Sequence, residues 1–289
     1  MTSAFKVYDS TITNESRMYL QLLPSLKQLA CEAGDAIMHI YQDPAHWNTQ
    51  QKSNDTPVTA ADLAAHKLLV QGLQQLTPDI PILSEEADIP DWQQRQHWSR
   101  YWLLDPLDGT REFLSRNGEF TVNIALIEAG QVQLGLVYAP DNETLYWGSA
   151  ATGAWKSQRL APGTAIHTRS AAANLTLLTS RRHSQHESAA IAQLLPADAT
   201  HNLTTQCLGS SLKLCRLAEG KADLYLRLSP TSEWDTAAGQ AILEAAGGEL
   251  LQLPELTPLP YNSKDSLENP GFIASGQKRS NWRSISLPD

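Results

Sequence analysis

Asp105-Pro106-Leu107-Asp108-Gly109-Thr110 follows directly on the apolar run Tyr101-Trp102-Leu103-Leu104. A compact apolar run of this kind reads as a buried strand. It stops at two carboxylates placed three residues apart. Pro106 fixes its own φ and keeps Asp105 extended, so the chain leaves the strand and turns. Gly109 permits a tight backbone there. In such a turn Asp105, the Leu107 carbonyl and Asp108 can face one point, an oxygen-rich set suited to a hard cation, Mg²⁺ above all. Thr110-Arg111-Glu112-Phe113-Leu114 can open a short helix, which frees the N–H groups of Gly109 and Thr110 for a phosphate oxygen. The competing account is an Asx-type turn in which both aspartates only bond the backbone.

Upstream, apolar positions at helical spacing (Leu22, Leu26, Leu29, Ala33, Ile37, Ile40) predict a long amphipathic helix over about 16–42. Thr59-Ala60-Ala61-Asp62 has the form of a capping box and opens a helix to about Leu76. Pro78 and Pro81 end it, and a short strand over 81–83 runs into Ser84-Glu85-Glu86. Two adjacent acids are in isolation an ordinary solvated loop.

Downstream, 121–129, 131–140 and 143–149 are β-rich and separated by turn residues. Beyond about residue 165, strand-like runs (175–179, 203–207, 222–228) alternate with helical ones (186–195, 210–219, 235–246), the α/β pattern. A soft boundary falls near 157–165, which gives an N-terminal α+β part over 1–160 and a C-terminal α/β part over 161–289. In Trp234-Asp235-Thr236-Ala237-Ala238-Gly239, Asp235 stands where a helix begins. It is either an ordinary N-cap, contributing ~1 kcal/mol, or a ligand as well, since a carboxylate has two oxygens. Three motifs that each deliver carboxylates at a strand end or helix start are what a two-metal phosphoryl-transfer site requires.

Strand–Glu-Glu, then D-P-L-D-G-T, then W-D-T-A-A-G resembles, in order and over nearly the whole chain, the inositol monophosphatase superfamily of lithium-sensitive, Mg²⁺-dependent phosphatases. The resemblance implies the layered αβαβα sugar-phosphatase fold. It implies Glu85, Asp105 and the Leu107 carbonyl on one metal, and Asp105, Asp108 and Asp235 on a second. Thr110 with Glu85 would orient the attacking water, and the substrate would lie against Glu85, Leu107, Asp108, Gly109, Thr110 and Asp235.

Three further stretches resemble the CysQ-type 3′(2′),5′-bisphosphate nucleotidase branch. Lys52–Asp62 resembles a mobile loop whose Asp55 assists a third metal. Thr179-Ser180-Arg181-Arg182-His183 resembles the segment covering the nucleotide. Gly209-Ser210-Ser211-Leu212-Lys213, with Arg227, resembles the clamp for a second phosphate. Relatives often carry Ser-x-His after the first arginine, where this chain has Arg182-His183. The implied reaction is Mg²⁺-dependent hydrolysis of 3′-phosphoadenosine 5′-phosphate, a by-product of sulfate assimilation and sulfotransfer, to AMP and phosphate. Inositol monophosphate or fructose 1,6-bisphosphate on the same machinery is the nearest alternative. A non-catalytic metal- or nucleotide-binding regulator is the alternative outside enzymes.

The bulk numbers agree. A net charge of −9 over 289 residues argues against a nucleic-acid-coating protein. Cys31, Cys207 and Cys215 form no C-x-x-C pair. Cys207 and Cys215 read as packing residues, and the tryptophans mostly as core. No run approaches ~18 apolar residues, and no apolar stretch follows a basic N-terminus. The expected location is the cytoplasm, with loose attachment to the inner membrane known among bacterial relatives.

Overall fold

The computed structural model describes residues 14–51, 57–170, 174–181, 190–191 and 203–277. Helix α1 (Asn14–Tyr41) buries Leu26, Leu29, Ala33 and Ile37, the stripe seen in the sequence. A small hairpin, β1 (Gln50–Gln51) with β2 (Pro57–Val58), leads to α2 (Ala60–Leu76). Thr59 and Asp62 make the expected capping box at its start.

Among the described residues, seven strands form the first sheet in sequence order: β3 (Ile82–Ser84), β4 (Arg100–Asp108), β5 (Thr121–Glu128), β6 (Gln131–Ala139), β7 (Thr144–Ser149), β8 (Gly153–Gln158) and β9 (Thr164–Ile166). β3 and β4 are parallel and the rest antiparallel. Of residues 157–165, expected to be a polar connection, 159–163 form the turn that joins β8 to β9, and the rest are the adjoining ends of those two strands. Two short helices interrupt it, α3 (Trp92–Arg95) and α4 (Thr110–Leu114).

The second sheet has the order β11 (Leu203–Cys207), β10 (Leu175–Thr179), β12 (Leu224–Arg227), β17 (Phe272–Ser275), β14 (Glu249–Gln252), β15 (Thr257–Pro258). Between the sheets lie α5 (Leu212–Ala218) and α6 (Glu233–Ala245), the latter entered through β13 (Thr231–Ser232), which pairs with β16 (Glu268–Asn269).

The layering follows from residue parity. Strand side chains alternate between faces, and on β4 and β5 both faces are apolar. Trp102, Leu104, Ile124 and Leu126 pack with α1 and α2, whereas Tyr101, Leu103, Ala125 and Ile127 pack with α5 and α6. On the second sheet Leu178, Tyr225 and Ala274 face those same helices. Leu177, Leu224, Leu226 and Ile273 face outward, where the helical Ala190 and Ile191 cover them. A strand buried on both sides has no polar alternation, which is why Tyr101–Leu104 reads as a continuous apolar run. Of the tryptophans described, Trp102 and Trp147 are buried; Trp47, Trp98 and Trp155 are half-buried against the core clusters, Trp92 is half-buried, and Trp234, beside Asp235, is half-buried and lines a cleft. No helix of the described residues is long and apolar enough to cross a membrane.

α6 approaches the first sheet unusually closely. A Cβ on Gly135 of β6 would lie 2.2 Å from the Ala238 carbonyl oxygen, so only glycine admits the helix at this distance.

Candidate active site

Asp105 and Asp108 stand three apart on β4, and on a regular strand they would point to opposite faces. They do not, because β4 carries a bulge. Asp105 pairs with Asn123 and Asp108 with Thr121, so three steps on β4 oppose two on β5. The extra residue reverses the parity. Asp105 keeps the side of Tyr101 and Leu103, facing α6, and Asp108 is brought round to it. Pro106 fits here because a bulge does not need its missing N–H. Gly109 follows at φ +96°, where a Cβ would sit 3.1 Å from the Glu119 carbonyl oxygen, and it caps α4.

Asp235 comes from across the core. It is not an N-cap. Ser232 caps α6, and Asp235 is the third helical residue, closing a capping box by accepting from Ser232 N at 2.8 Å. Oxygens of Asp105, Asp108 and Asp235 lie within 4.8 Å of one another. Each carboxylate has one oxygen fixed by a backbone N–H: Asp105 Oδ1 by Leu107 (3.0 Å), Asp108 Oδ2 by Ser211 (2.6 Å) and Asp235 Oδ2 by Ser232. The Asx-turn account of Asp105 is therefore true of one oxygen only. Burial, then the charges of Glu85, Asp108 and Asp235, push the Asp105 carboxyl well above the usual range. Burial, then Asp108 and Glu85, do the same to Asp235. Four acids around one buried point repel one another unless a cation sits among them, and an all-oxygen donor set suits a hard divalent ion. The residues fit such an ion.

Thr110 opens α4 and donates to Asp62 Oδ1 at 3.1 Å. Asp62 also accepts from Thr59 N (2.8 Å) and Thr59 Oγ1 (2.6 Å). The capping box of α2 is thus the support for Thr110, a second role the sequence did not show. Glu85 lines the same cleft, at the end of β3, with its N–H bonded to the Leu104 carbonyl.

The cleft holds about 760 Å³, in the range of small-molecule sites. Its lining includes Leu107, Gly109, Thr110, Ser210, Lys213 and Arg227, together with Arg181. Lys213 is not surface charge. It is 6% exposed and donates to the carbonyls of Ser210 (2.8 Å) and Leu208 (3.2 Å), pinning the turn before α5. Ser210 sits in that turn at φ +49°. Arg227, half-buried, donates to Ser180 Oγ at 2.8 Å and to the Ser229 carbonyl at 3.2 Å. Arg181 pairs with Glu119, which also accepts from Gly209 N at 2.7 Å. Asp55 and His183 lie outside the described residues. Cys215 is buried, its thiol pushed up by that burial, whereas Cys207 is exposed rather than packed. Ser211 and Asn123, both buried behind the aspartates, were not singled out from the sequence.

Residues 19–285 match the sequence profile of the inositol monophosphatase family. The chain belongs to that family. Its curated relatives include the 3′(2′),5′-bisphosphate nucleotidase CysQ of Salmonella typhimurium, 50% identical over 252 residues, covering 87% of this chain and 98% of the relative. CysQ of Escherichia coli K12 is 49% identical over 255 residues, covering 88% and 99%. Among solved structures, CysQ from Bacteroides thetaiotaomicron, described as a bacterial member of the inositol monophosphatase family, superposes with a TM-score of 0.78 at 36% identity, covering 90% of this chain and 98% of that one. The inositol monophosphatase of Anabaena, at 24% identity and a TM-score of 0.69 over 90% and 92%, shares the fold. The layered fold expected of this family is the one observed.

Proposed function

We infer that this protein is a 3′(2′),5′-bisphosphate nucleotidase, a phosphomonoesterase that converts 3′-phosphoadenosine 5′-phosphate and water to AMP and phosphate. The observation that carries this reading is the convergence of Asp105, Asp108 and Asp235 in a cleft that also contains Lys213, Arg227 and Arg181. The acids suit a reacting phosphate held through cations. The basic residues suit a second phosphate that is bound but not cleaved. Relatives at about half identity over nearly their full length carry the same named activity.

Two Mg²⁺ ions would be held here, one by Glu85, Asp105 and the Leu107 carbonyl and one by Asp105, Asp108 and Asp235, and Asp55 would assist a third. When bound, they supply positive charge to the phosphoryl oxygens and the leaving oxygen, and acidify water. The protein's own contribution is position. Thr110 spends its hydroxyl proton on Asp62, so its oxygen is left to accept from a water. The Glu85 carboxylate accepts that water's other proton, and the two acceptors aim the water oxygen at phosphorus. The water oxygen–phosphorus bond forms as the phosphorus–ribose oxygen bond breaks, and a proton ends on the ribose hydroxyl. The N–H groups of Gly109 and Thr110, at the start of α4, are donors for the transferring phosphoryl oxygens.

A phosphate-release assay with Mg²⁺ tests the reading. Rapid release is expected from 3′-phosphoadenosine 5′-phosphate, with slower release from inositol 1-phosphate and fructose 1,6-bisphosphate. Preference for either sugar phosphate would move the protein to another branch of the family, and no release from any ester would leave only a binding role.

A further inference from the structure

Ser211 is the point at which the two halves of the acidic cluster are tied together. Its N–H donates to Asp108 Oδ2 at 2.6 Å, and its Oγ lies 2.8 Å from the same oxygen. That Oγ is also 2.7 Å from the carbonyl oxygen of Asp235 and accepts from Asn123 Nδ2 at 2.9 Å. Asn123 in turn reaches Asp108 Oδ2 at 3.3 Å and is steadied by Thr121 Oγ1 on its own carbonyl oxygen at 3.0 Å. Ser211 is 3% exposed and Asn123 1%. A hydroxyl has one proton. It serves either Asp108 or the Asp235 carbonyl, while the oxygen itself holds station within 3 Å of both.

The consequence lies in where these groups come from. Asp108 is on the first sheet, after a bulge. Asp235 is on α6, 127 residues later in number and in a different layer. The contacts above make Ser211 a bridge between the Asp108 carboxylate and the Asp235 backbone, and the turn that carries it is itself pinned by Lys213. Groups behind a metal ligand orient it and commonly change metal affinity 10–100-fold when removed.

We propose that Ser211 is a positioning residue that sets the spacing between Asp108 and Asp235, and through it the affinity of the cation these two share. This rests on the reading of the aspartates as cation ligands.

The test is calorimetric titration of the full-length, metal-free protein with Mn²⁺, alongside thermal unfolding in EDTA. Ser211→Ala keeps the N–H contact and deletes the hydroxyl. The expected result is a roughly tenfold loss of affinity in one class of Mn²⁺ site, with the other class within about twofold of wild type. In the phosphate assay the Mg²⁺ concentration for half activity should rise by the same factor, with KM at saturating Mg²⁺ unchanged. Should Ser211→Ala fail to fold, Ser211→Cys, which keeps the volume but is a poor donor, carries the same expectation. Unchanged Mn²⁺ affinities in the variant overturn the proposal. So does a uniform loss in both classes that tracks a fall in melting temperature, which marks a merely structural residue. Absence of Mn²⁺ uptake by the wild type would instead overturn the cation reading itself.

Discussion

Asp105 is buried among acids, and its burial works against the folded protein until a cation arrives. An acid whose folded pKa is raised costs stability at neutral pH, because the unfolded chain ionises freely there. Asp105→Asn removes that cost and also removes the side chain assigned to both cations. The metal-free variant should therefore melt above wild type, while kcat/KM falls by about a hundredfold or more. Asp55→Asn should cost much less activity. Unfolding scans in EDTA and phosphate release at saturating Mg²⁺ check both halves, and equal activity in the two variants would sink the ligand assignment. Arg227 tests the second phosphate more cleanly than Lys213, whose ammonium also holds a turn. Charge-assisted bonds contribute roughly 1.5–3 kcal/mol. Arg227→Ala should thus raise KM for 3′-phosphoadenosine 5′-phosphate about ten- to a hundredfold and leave adenosine 3′-phosphate nearly unaffected. An equal loss on both substrates would remove Arg227 from the clamp. At this scale the aspartates were legible because carboxylates beside Pro and Gly at a strand end stand out. Asp62, Asn123 and Ser211 were not, since a capping residue, a strand asparagine and a turn serine look ordinary until the fold brings them behind the site.

The elements were read largely from periodicity: α1, α2, β5, β6 and β10 fall close to where apolar spacing puts them. The bulge in β4 was not read. Pro106 looked like the end of a strand, when the strand continues through it to Asp108, and only pairing with β5 reveals the extra residue. β8 and β9 were missed because they are short and flank the turn-rich residues 159–163, and their pairing is decided by their neighbours, β8 against β7 and β9 against β8. The close seat of α6 on β6 depends on Gly135, which inside a strand signals only that something approaches. Gly135→Ala would place a methyl 2.2 Å from the Ala238 carbonyl, so the helix must move. Overpacking of this kind costs about 1–3 kcal/mol. The same movement carries Asp235 away from Asp105 and Asp108. Gly135→Ala should lower both the urea midpoint and Mn²⁺ affinity, whereas a surface change of equal stability cost should lower only the first. Unchanged Mn²⁺ affinity would show that the site does not depend on the seat of α6.

Across the whole molecule, the first sheet must be held to the helical layer that delivers Ser211 and Asp235, and Glu219 does this at the end of α5. Its side chain is 2% exposed and accepts from Tyr146 of β7 (2.6 Å) and Lys156 of β8 (3.2 Å), both in the first sheet, as well as from Arg216 (3.3 Å) and Lys221. Burial pushes its carboxyl up, but the hydrogen bonds from Lys221, Tyr146 and Lys156 outweigh it and bring the pKa down from 4.5 to about 2. A depressed carboxylate contributes stability that is fully present above its unfolded pKa and is lost as pH falls through the folded one. The window is therefore about pH 4.5 down to 2. The full shift would convert to ~3 kcal/mol. Lys156, Arg216 and Lys221 are 35–52% exposed and screened by solvent, which reduces the contribution to about 1–2 kcal/mol. Urea unfolding from pH 6 to 2 should show wild type losing its advantage over Glu219→Gln as the pH drops below about 4.5, with the two curves converging by most of that amount at the acid end. A gap that stays constant across the range would mean that Glu219 holds the layers together by shape and hydrogen-bond count rather than by charge.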